Sequence, residues 1–465
     1  MFRISNHYVS KIVFVLLFVE LLVLLGAAYI GVALRMMEYE GSIHQLDHLF
    51  TSAFAFAAAI IFSMSAMGMY QLDYDEGLRH PFFMKLMPSF VMGFIILALV
   101  FYMAPELYLG RGTMLLVFAL AGCGIFLARM VFFKTSEARL LQTRIMFLGG
   151  GPLAKECSEL ATRKSRYHKY EIAGFIPNPN EELCVSSSKL LAMREGDSLV
   201  SLARKNNVSE VVVSVQNRRG GFPIKELLDC KLQGIKVTDA ATFFERETCQ
   251  IRVDSLQPSW LVFGGGFDQS FVRTFMKRSF DLVCSCIILV MTFPLMLAAA
   301  LAVWLEDRGP VFYSQERVGK DGKPFRVHKF RSMRADAEKN GKPQWAAQND
   351  PRVTRVGNFM RKTRIDELPQ ILNVFKGEMS FVGPRPERQY FVEQLIEVVP
   401  YYNVRHSVKP GITGWAQVRY GYGSSAEDAL QKLQYDLYYV KNNSLFLDIL
   451  ILINTLKVVL FRSGR

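Results

Sequence analysis

The feature that most limits what this chain can fold into is an apolar stretch at 282–305 with positive charge on both sides. Arg273, Lys277 and Arg278 precede it, and Arg308, Arg317, Lys320 and Lys323 follow. About 20 apolar residues suffice to cross a bilayer. Lys and Arg mark the cytoplasmic flank of a membrane segment, so two basic flanks place both ends on the same side. Pro294, in the middle of the stretch, removes a backbone donor and kinks a helix. The expectation is a re-entrant helix that dips into the membrane at about 280–305 and returns. The competing reading is an ordinary kinked fifth span.

Hydrophobic residues make up 51% of the chain, and four further apolar segments lie near 10–34, 50–70, 84–104 and 113–133. Arg3 and Lys11 stand before the first, and Lys134, Arg139 and Arg144 after the last. Glu38, Glu40 and Asp47, and then Glu106, fall in the two outer loops. That distribution predicts a four-helix transmembrane bundle over 1–140 with both ends in the cytoplasm. The first segment has no small-residue cleavage site, so it is expected to be an uncleaved anchor. Glu20 lies inside it. An acid at that depth is a functional hypothesis by default; with no partner evident, a packing or subunit-contact role is expected.

The net charge of +13 is unevenly spread. Between 317 and 364 there are fourteen Lys or Arg against four acids (Asp321, Asp336, Glu338 and Asp350). A basic region suggests phosphates, nucleic acid or acidic lipid as partners, or a solvated basic face beside a membrane. Nucleic acid is disfavoured, because the region is interleaved with membrane elements and holds no recognised binding module. The seven cysteines form no C-x-x-C pair and suggest no disulfide framework. No His/Cys cluster has zinc spacing, and H-E-x-x-H is absent.

Residues 141–254 read as a soluble α/β unit. Apolar runs at 145–148, 171–176, 210–215 and 234–237 alternate with helical stretches, which predicts a parallel, Rossmann-like sheet. Gly149-Gly150-Gly151-Pro152-Leu153-Ala154 fits G-x-G-x-x-A after the first strand. Such a turn can seat a phosphate at a helix N-terminus. No clear acid ends the second strand, where a ribose-binding one is expected. A structural or regulatory domain and real nucleotide binding both stay open. Residues 255–275, with Pro258 and Gly264-Gly265-Gly266, read as a linker. At the C-terminus, 445–461 is apolar but interrupted by Asp448, Asn454 and Lys457, a pattern expected of a helix lying along the interface.

The adjacent acids Asp366 and Glu367 stand before an apolar helical pattern. Asp is a strong N-cap and Pro369 is tolerated in a first turn, so Asp366 is expected to start a helix. Alone, this is an acidic helix cap. The surroundings say more: a carboxylate attacking phosphorus meets an anion, and that repulsion must be neutralised by cations. Arg361, Arg364 and Arg385 supply them, the last fixed between Pro384 and Pro386. Mg²⁺ is commonly held by one protein carboxylate plus substrate oxygens.

From 277 onward the chain resembles the monotopic phosphoglycosyl transferases, the bacterial polyprenyl-phosphate hexose-1-phosphate transferases. The matching elements are Lys277-Arg278-x-x-Asp281, the proline-broken helix, Gln315-x-Arg317-x-Gly319-x-x-Gly322 and Lys329-Phe330-Arg331-Ser332-Met333. They continue with Asp366-Glu367-Leu368-Pro369-Gln370, Gly383-Pro384-Arg385-Pro386 and Pro410-Gly411-Ile412-Thr413-Gly414-Trp415. The four-helix front and Rossmann-like middle are similar to the large members, which start capsule, exopolysaccharide or O-antigen repeat units. Small members often carry Ser before the membrane-helix proline; here it is Phe293.

The resemblance implies that Asp366 attacks the β-phosphate of a UDP-hexose, releases UMP and keeps the phosphosugar. A polyprenyl phosphate then takes it. Glu367 would assist as a base, although a phosphate monoester with a second pKa of about 6 leaves positioning or metal binding equally open. Asp366 would also touch Mg²⁺. Phosphate or substrate contacts would come from Arg361, Arg364, Arg385, Lys329, Arg331 and Arg317, and the membrane-helix break from Pro294. Glucose or galactose would be the hexose.

The whole is expected to be a membrane α-helical bundle, an α/β Rossmann-like domain, and a mainly α catalytic domain at 276–465 with a re-entrant helix. Its expected place is the bacterial inner membrane, with the catalytic domain on the cytoplasmic face. Expected partners are UDP-hexose, polyprenyl (undecaprenyl) phosphate and the lipid bilayer; a homodimer through the front bundle is left open. The alternative is a membrane-anchored nucleotide-binding regulator or scaffold of polysaccharide assembly, which would not require Asp366, Glu367, Arg361 and Arg385 together. A nucleotide-sugar oxidoreductase lacks a Tyr-x-x-x-Lys pair in the middle domain. Ser/His/Asp hydrolysis has no support: His328 and His406 show no Ser partner. Tyr420, Tyr422, Tyr435, Tyr438 and Tyr439 are expected at the headgroup level, with base or sugar stacking as the other reading.

Overall fold

The computed structural model describes residues 2–4, 7–9, 11–38, 48–70, 81–136, 142–162, 170–178, 181–191, 198–216, 222–253, 267, 270–334, 350–421, 423 and 425–461. The loop acids Glu40 and Asp47, Arg139, the linker's Pro258 and Gly264-Gly265-Gly266, Asp336, Glu338 and Tyr422 lie outside these. The chain divides into two compact units. One takes in 9–247; the other takes 248–465 together with the N-terminal residues 3–8. Two short strands near the start of the chain, β1 (Phe2–Ile4) and β2 (His7–Val9), pair with each other.

In the first unit, four long apolar helices come first: α1 (Lys11–Glu38), α2 (Leu49–Ala66), α3 (Pro81–Met103) and α4 (Arg111–Ser136). Their apolar windows have mean hydropathies of 2.7, 1.9, 2.3 and 2.3, and each is long and apolar enough to cross a membrane. Small residues allow close packing: Ala28, Ala53, Ala57 and Ala121 are fully buried beside Leu24, Phe56, Ile60 and Val117. Glu20 has partners after all. It pairs with the Arg129 guanidinium of α4 and accepts a 2.5 Å hydrogen bond from the Tyr70 hydroxyl. Glu20 and Arg129 are almost wholly buried. An acid and a base that cannot stay charged alone in apolar surroundings have found each other across 109 residues.

The rest of this unit is an α/β layer. Strands β3 (Thr143–Leu148), β4 (Tyr170–Ile176), β5 (Glu210–Val213) and β6 (Lys236–Asp239) form a parallel sheet in the order β4-β3-β5-β6. Strand side chains alternate faces. Met146, Leu148, Val211 and Val213 therefore pack towards α6 (Leu199–Lys205) and α7 (Ile224–Leu232). Ile145, Phe147 and Val212 pack towards α5 (Pro152–Thr162) and α8 (Ala240–Thr248). Both faces are covered, which is why the strands read as continuous apolar runs.

The glycine turn follows β3 as expected. Gly149 has φ +121°, and a Cβ there would lie 3.0 Å from the Ser214 carbonyl carbon. Above the turn, the Glu181 carboxylate accepts from the main-chain N–H groups of Gly150 at 3.4 Å and Gln216 at 3.0 Å. The Leu183 side chain would lie 2.7 Å from a Cβ on Gly150. The glycines accommodate the chain's own 181–185 segment, and an internal carboxylate holds donors a phosphate would use.

The second unit is organised by α9 (Phe271–Asp307), 37 residues long with Pro294 inside and an apolar window of mean hydropathy 2.6. It is the fifth helix among the described residues long and apolar enough to cross a membrane. Val290, Met291, Phe293, Leu297 and Leu301 are all exposed. The helical backbone continues through the proline. Two residues before it, the Thr292 hydroxyl donates to the Ile288 carbonyl at 2.7 Å, a bond that bends helices.

An antiparallel hairpin follows, β7 (Phe312–Val318) with β8 (Pro324–Phe330). Then come α10 (Arg355–Thr363), a 3₁₀ turn (Ile365–Gln370) and α11 (Ile371–Lys376). Strand β9 (Ser380–Val382), α12 (Gln389–Val398), β10 (Gly411–Thr413), α13 (Trp415–Arg419), α14 (Ala426–Asn442) and α15 (Leu445–Phe461) complete it. Parallel β9 and β10 sit in a core with Trp415, Leu433, Leu437, Tyr438, Tyr439 and Leu447. This corrects one expectation: Tyr438 and Tyr439 are core residues and stand neither at a headgroup level nor against a ligand. Their α14 face packs inward, and the Tyr439 hydroxyl donates to Asp448 at 2.8 Å. Asp448, which reads as a polar interruption, is a buried docking contact that also takes the Lys277 ammonium at 2.8 Å.

Candidate active site

The turn holding Asp366 and Glu367 is suspended between two short helices. Thr354 caps α10, its hydroxyl accepting from the Gly357 N–H at 3.0 Å. At the far end Arg364 is left-handed, with φ 59°. That one residue both ends α10 and caps the 3₁₀ turn, so Asp366 lies inside the first turn and does not begin the helix as expected. Glycine is required beneath: a Cβ on Gly357 would sit 2.1 Å from the Ser332 carbonyl oxygen.

Both ends of α9 hold this assembly. At one end Arg278 donates to the last carbonyls of α11, Val374 at 2.6 Å and Phe375 at 2.7 Å. Asp281, one turn on, accepts from the Ser380 hydroxyl at 2.9 Å and the Phe381 N–H at 3.2 Å. At the other end the Glu306 carboxylate accepts from the Arg355 and Val356 N–H groups at 2.8 and 3.2 Å, capping α10. The Lys277-Arg278-x-x-Asp281 motif is thus a clamp from the long helix onto α15, α11 and β9.

Arg385 is fixed by backbone meeting backbone. A Cβ on Gly383 would lie 2.3 Å from the Lys409 carbonyl oxygen, and one on Gly411 2.1 Å from the Gly383 nitrogen. The Gly383 N–H donates to Thr413 O at 2.9 Å, and the Gly411 N–H to Pro384 O at 3.0 Å. The two glycine motifs therefore cross at contact distance, where only glycine fits.

These elements surround one cavity of about 550 Å³. Arg317, Lys329, Arg331, Arg361, Arg364, Asp366 and Arg385, all expected in the site, line it. Glu367 lies behind the lining, and Pro294 is elsewhere on α9. The two adjacent acids have opposite surroundings. Glu367 accepts from Lys329 Nζ and from the Arg385 guanidinium, both at 3.0 Å, with Arg364 at 3.7 Å. Burial works against its charge, yet Lys329, Arg385 and Arg364 hold its carboxyl far below the usual range. Asp366 is buried, and its Oδ1 has no hydrogen-bond partner. Burial first, and then the neighbouring Glu367 charge, push its carboxyl above the usual range.

Several contacts were missed from sequence. Arg405 lines the same cavity, pairs with Asp436 at 2.8 Å and donates to the Arg385 carbonyl at 2.9 Å. Gln417 and Tyr420 line it as well. His328 does meet a serine, Ser314, at 2.9 Å, but as a cross-strand pair of the hairpin. His406 packs edge-on against Tyr402, and burial lowers its pKa to about 4. Among the described residues no group of three or more His, Cys, Asp or Glu could hold a metal.

The sequence of residues 272–462 matches the model of the family described as bacterial sugar transferase. A UDP-N-acetylgalactosamine-undecaprenyl-phosphate N-acetylgalactosaminephosphotransferase of Aeromonas hydrophila is 45% identical over 238 residues, 51% of this chain and 55% of the relative. The uncharacterized sugar transferase EpsL of Bacillus subtilis (strain 168) is 41% identical over 193 residues, 41% of this chain and 89% of the relative. The chain belongs to the bacterial sugar transferase family. A UDP-glucose:undecaprenyl-phosphate glucose-1-phosphate transferase of Escherichia coli (strain K12) is 46% identical over 190 residues, 40% of each chain. The chain spans about half the length of the first curated relatives it matches. The family match covers the second unit's cavity and both acids.

Proposed function

We propose that this protein transfers a hexose-1-phosphate from a UDP-hexose to a polyprenyl phosphate, with Asp366 as the covalent nucleophile. The observation that carries the reading is Asp366: a buried carboxylate with one oxygen unpartnered, in the wall of a cavity lined by cations. In the first step the Asp366 carboxylate forms a bond through one oxygen to the β-phosphorus. The bond from that phosphorus to the bridging oxygen breaks, and UMP leaves. In the second step a phosphate oxygen of the lipid attacks the same phosphorus, the Asp366–phosphorus bond breaks, and polyprenyl-diphospho-sugar forms. Arg361, Arg364 and Arg385 balance the charge that crowds phosphorus. Glu367, already saturated by three cations, holds Lys329 and Arg385 in place and takes no proton.

Asp366 is also the residue that fits a divalent cation: its free Oδ1 can give one ligand, and diphosphate oxygens and waters the others. Bound Mg²⁺ would draw negative charge off the diphosphate.

We read the α/β layer as Rossmann-like, and α9 as re-entrant, with the second unit on the cytoplasmic face of the inner membrane. Arg278 and Glu306 support this: they hold the two helices that flank the Asp366 turn, so both ends of α9 meet the same small assembly. A straight helix would separate them by about 42 Å. The α15 helix is read as interfacial. The relatives' names give N-acetylgalactosamine and glucose as cargo, so the sugar is left to experiment.

The test is to incubate the purified protein with Mg²⁺, polyprenyl phosphate and a panel of UDP-sugars. UMP release, abolished in Asp366→Asn, is the expected result. UDP in place of UMP, or undiminished release from Asp366→Asn, overturns the reading.

A further inference from the structure

The lining of the cavity changes in character along hairpin β7–β8. Tyr313, Gln315 and Arg317 share one face of β7, as alternate residues of a strand do, and all three line the cavity. At the Arg317 end the Glu387 carboxylate stands 3.3 Å away. Lys432, Arg405 and Asp436 lie close enough to feel its charge. Phe312 begins the strand, roughly 17 Å from Arg317 along the backbone. At that end the lining includes three apolar residues, Pro310, Phe312 and Phe330.

Phe312 lies at a seam. It is the cross-strand partner of Phe330, and the two rings stack with centroids 5.3 Å apart. Phe330 is buried in a cluster with Ala299 and Val303 of α9 and Met360 of α10, and Ile365, next to Asp366, packs on that cluster. The last turns of the apolar helix, the cavity wall and the Asp366 turn thus share one small core. In the same turns of α9, Leu301, Trp304 and Leu305 are exposed. Phe312 itself is 56% exposed, so Phe330 covers only part of it and an apolar surface stays open at the cavity rim. A uracil ring can stack on a phenylalanine, but this ring pair connects directly to a helix long and apolar enough to cross a membrane. Hydrocarbon suits that setting and a polar base does not.

We propose that Phe312 is a specificity-determining residue for the acceptor: the first isoprene units of the polyprenyl phosphate lie on its ring. The proposal rests on the reading of the cavity as the site of phosphosugar transfer. A polyprenyl phosphate has one anionic end and one hydrocarbon chain, and the cavity offers cations beside an apolar rim. The lipid then reaches Asp366 past the α9 end of the hairpin, with its chain towards the apolar helix. The Arg317 end is left to the nucleotide.

The two half-reactions separate the outcomes. Exchange of labelled UMP into the UDP-sugar needs only the donor and Asp366, whereas full transfer also needs the lipid. Both are measured in detergent on the full-length protein, on Phe312→Ser and on a control, Phe359→Ala. Phe359 of α10 is 61% exposed but does not line the cavity. In Phe312→Ser, kcat/KM for undecaprenyl phosphate should fall roughly tenfold, the scale of one lost apolar contact of this size. UMP exchange and kcat/KM for the UDP-sugar should stay at the parent's level. Phe312→Leu, which keeps an apolar cover on Phe330, should lie between the two, and is read alone if Phe312→Ser loses exchange as well. Phe359→Ala should match the parent throughout. An unchanged kcat/KM for the lipid overturns the inference. So does an equal fall in Phe359→Ala, the mark of general contact with lipid or detergent, and so does a fall confined to the UDP-sugar, the mark of a stacked base. Failure of the transferase reading is separate: the parent itself would then neither exchange nor release UMP.

Discussion

Arg405 donates a hydrogen bond through its guanidinium to the main-chain carbonyl of Arg385 at 2.9 Å. The same side chain donates to the Tyr402 hydroxyl at 2.6 Å and pairs with Asp436 at 2.8 Å. Arg385 is thus held from behind by a cation from another part of the chain. Burial raises the Asp436 pKa to about 6 against the pull of Arg405, so Asp436 depends on that partner.

A lysine can answer Asp436 as a point charge but cannot make all three contacts. Arg405→Lys should therefore lower kcat, by up to about 10²-fold, through misplacement of Arg385. Arg405→Ala leaves a buried carboxylate uncompensated and should cost about 3–5 kcal/mol of stability. Thermal unfolding and UMP-release kinetics on both variants separate the two effects. A kcat for Arg405→Lys equal to that of the parent would show that Arg385 needs no such support.

Glu367 is placed to organise cations. Replacing it with Gln leaves Lys329 and Arg385 facing each other with no anion between. UMP release should fall by roughly 10²–10³-fold, the scale of losing one electrostatic contact to a transition state. Because the reading gives Glu367 no proton to move, the residual activity should keep an acidic limb, shifted to lower pH because the Glu367 charge no longer raises the Asp366 carboxyl. Loss of the acidic limb in Glu367→Gln would assign it the role of base.

The parts of this chain that were legible before the structure are those written in local pattern. β-Branched runs gave the four parallel strands, and the cations around Asp366 came from motifs a few residues long. What was not legible depends on residues far apart. Nothing near Glu20 announces Arg129, and nothing near Arg385 announces Arg405. The Glu181 carboxylate reaches the Gly150 turn from 31 residues away. The start of the Asp366 turn was misjudged by two residues, because a left-handed Arg364 did the work usually given to an Asp cap or a glycine. Tyr438 and Tyr439 carry polar tips, and only tertiary packing shows that those tips are satisfied inside.

The Glu20–Arg129 pair gives the front bundle its own test. Glu20→Gln leaves the Arg129 charge buried, and a partner lost from such a pair costs about 3–5 kcal/mol. Glu20→Leu combined with Arg129→Leu removes both charges and should recover most of that loss, since well-packed apolar replacements of buried pairs are often neutral. Thermal unfolding in detergent reads the difference. A double variant less stable than Glu20→Gln would mean the pair has a further role.

The N-terminal residue His7 belongs to the second unit, and its pH behaviour tests that docking. Its ring is buried, hydrogen-bonded to the Tyr438 hydroxyl at 2.9 Å and edge-on to Trp415. Burial, aided by the Arg419 charge, lowers its pKa to about 4 from an ordinary value of 6.5. Below 6.5 the unfolded chain binds a proton that the folded one refuses. The contribution of His7 is therefore complete above pH 6.5 and declines as pH falls towards 4. His7→Phe cannot take up that proton in either state. Its stability relative to the parent should rise across this window, by up to about 3 kcal/mol at the acid end. Melting temperatures of the two proteins between pH 4.5 and 7.5 check it, and parallel curves would place the His7 ring in water.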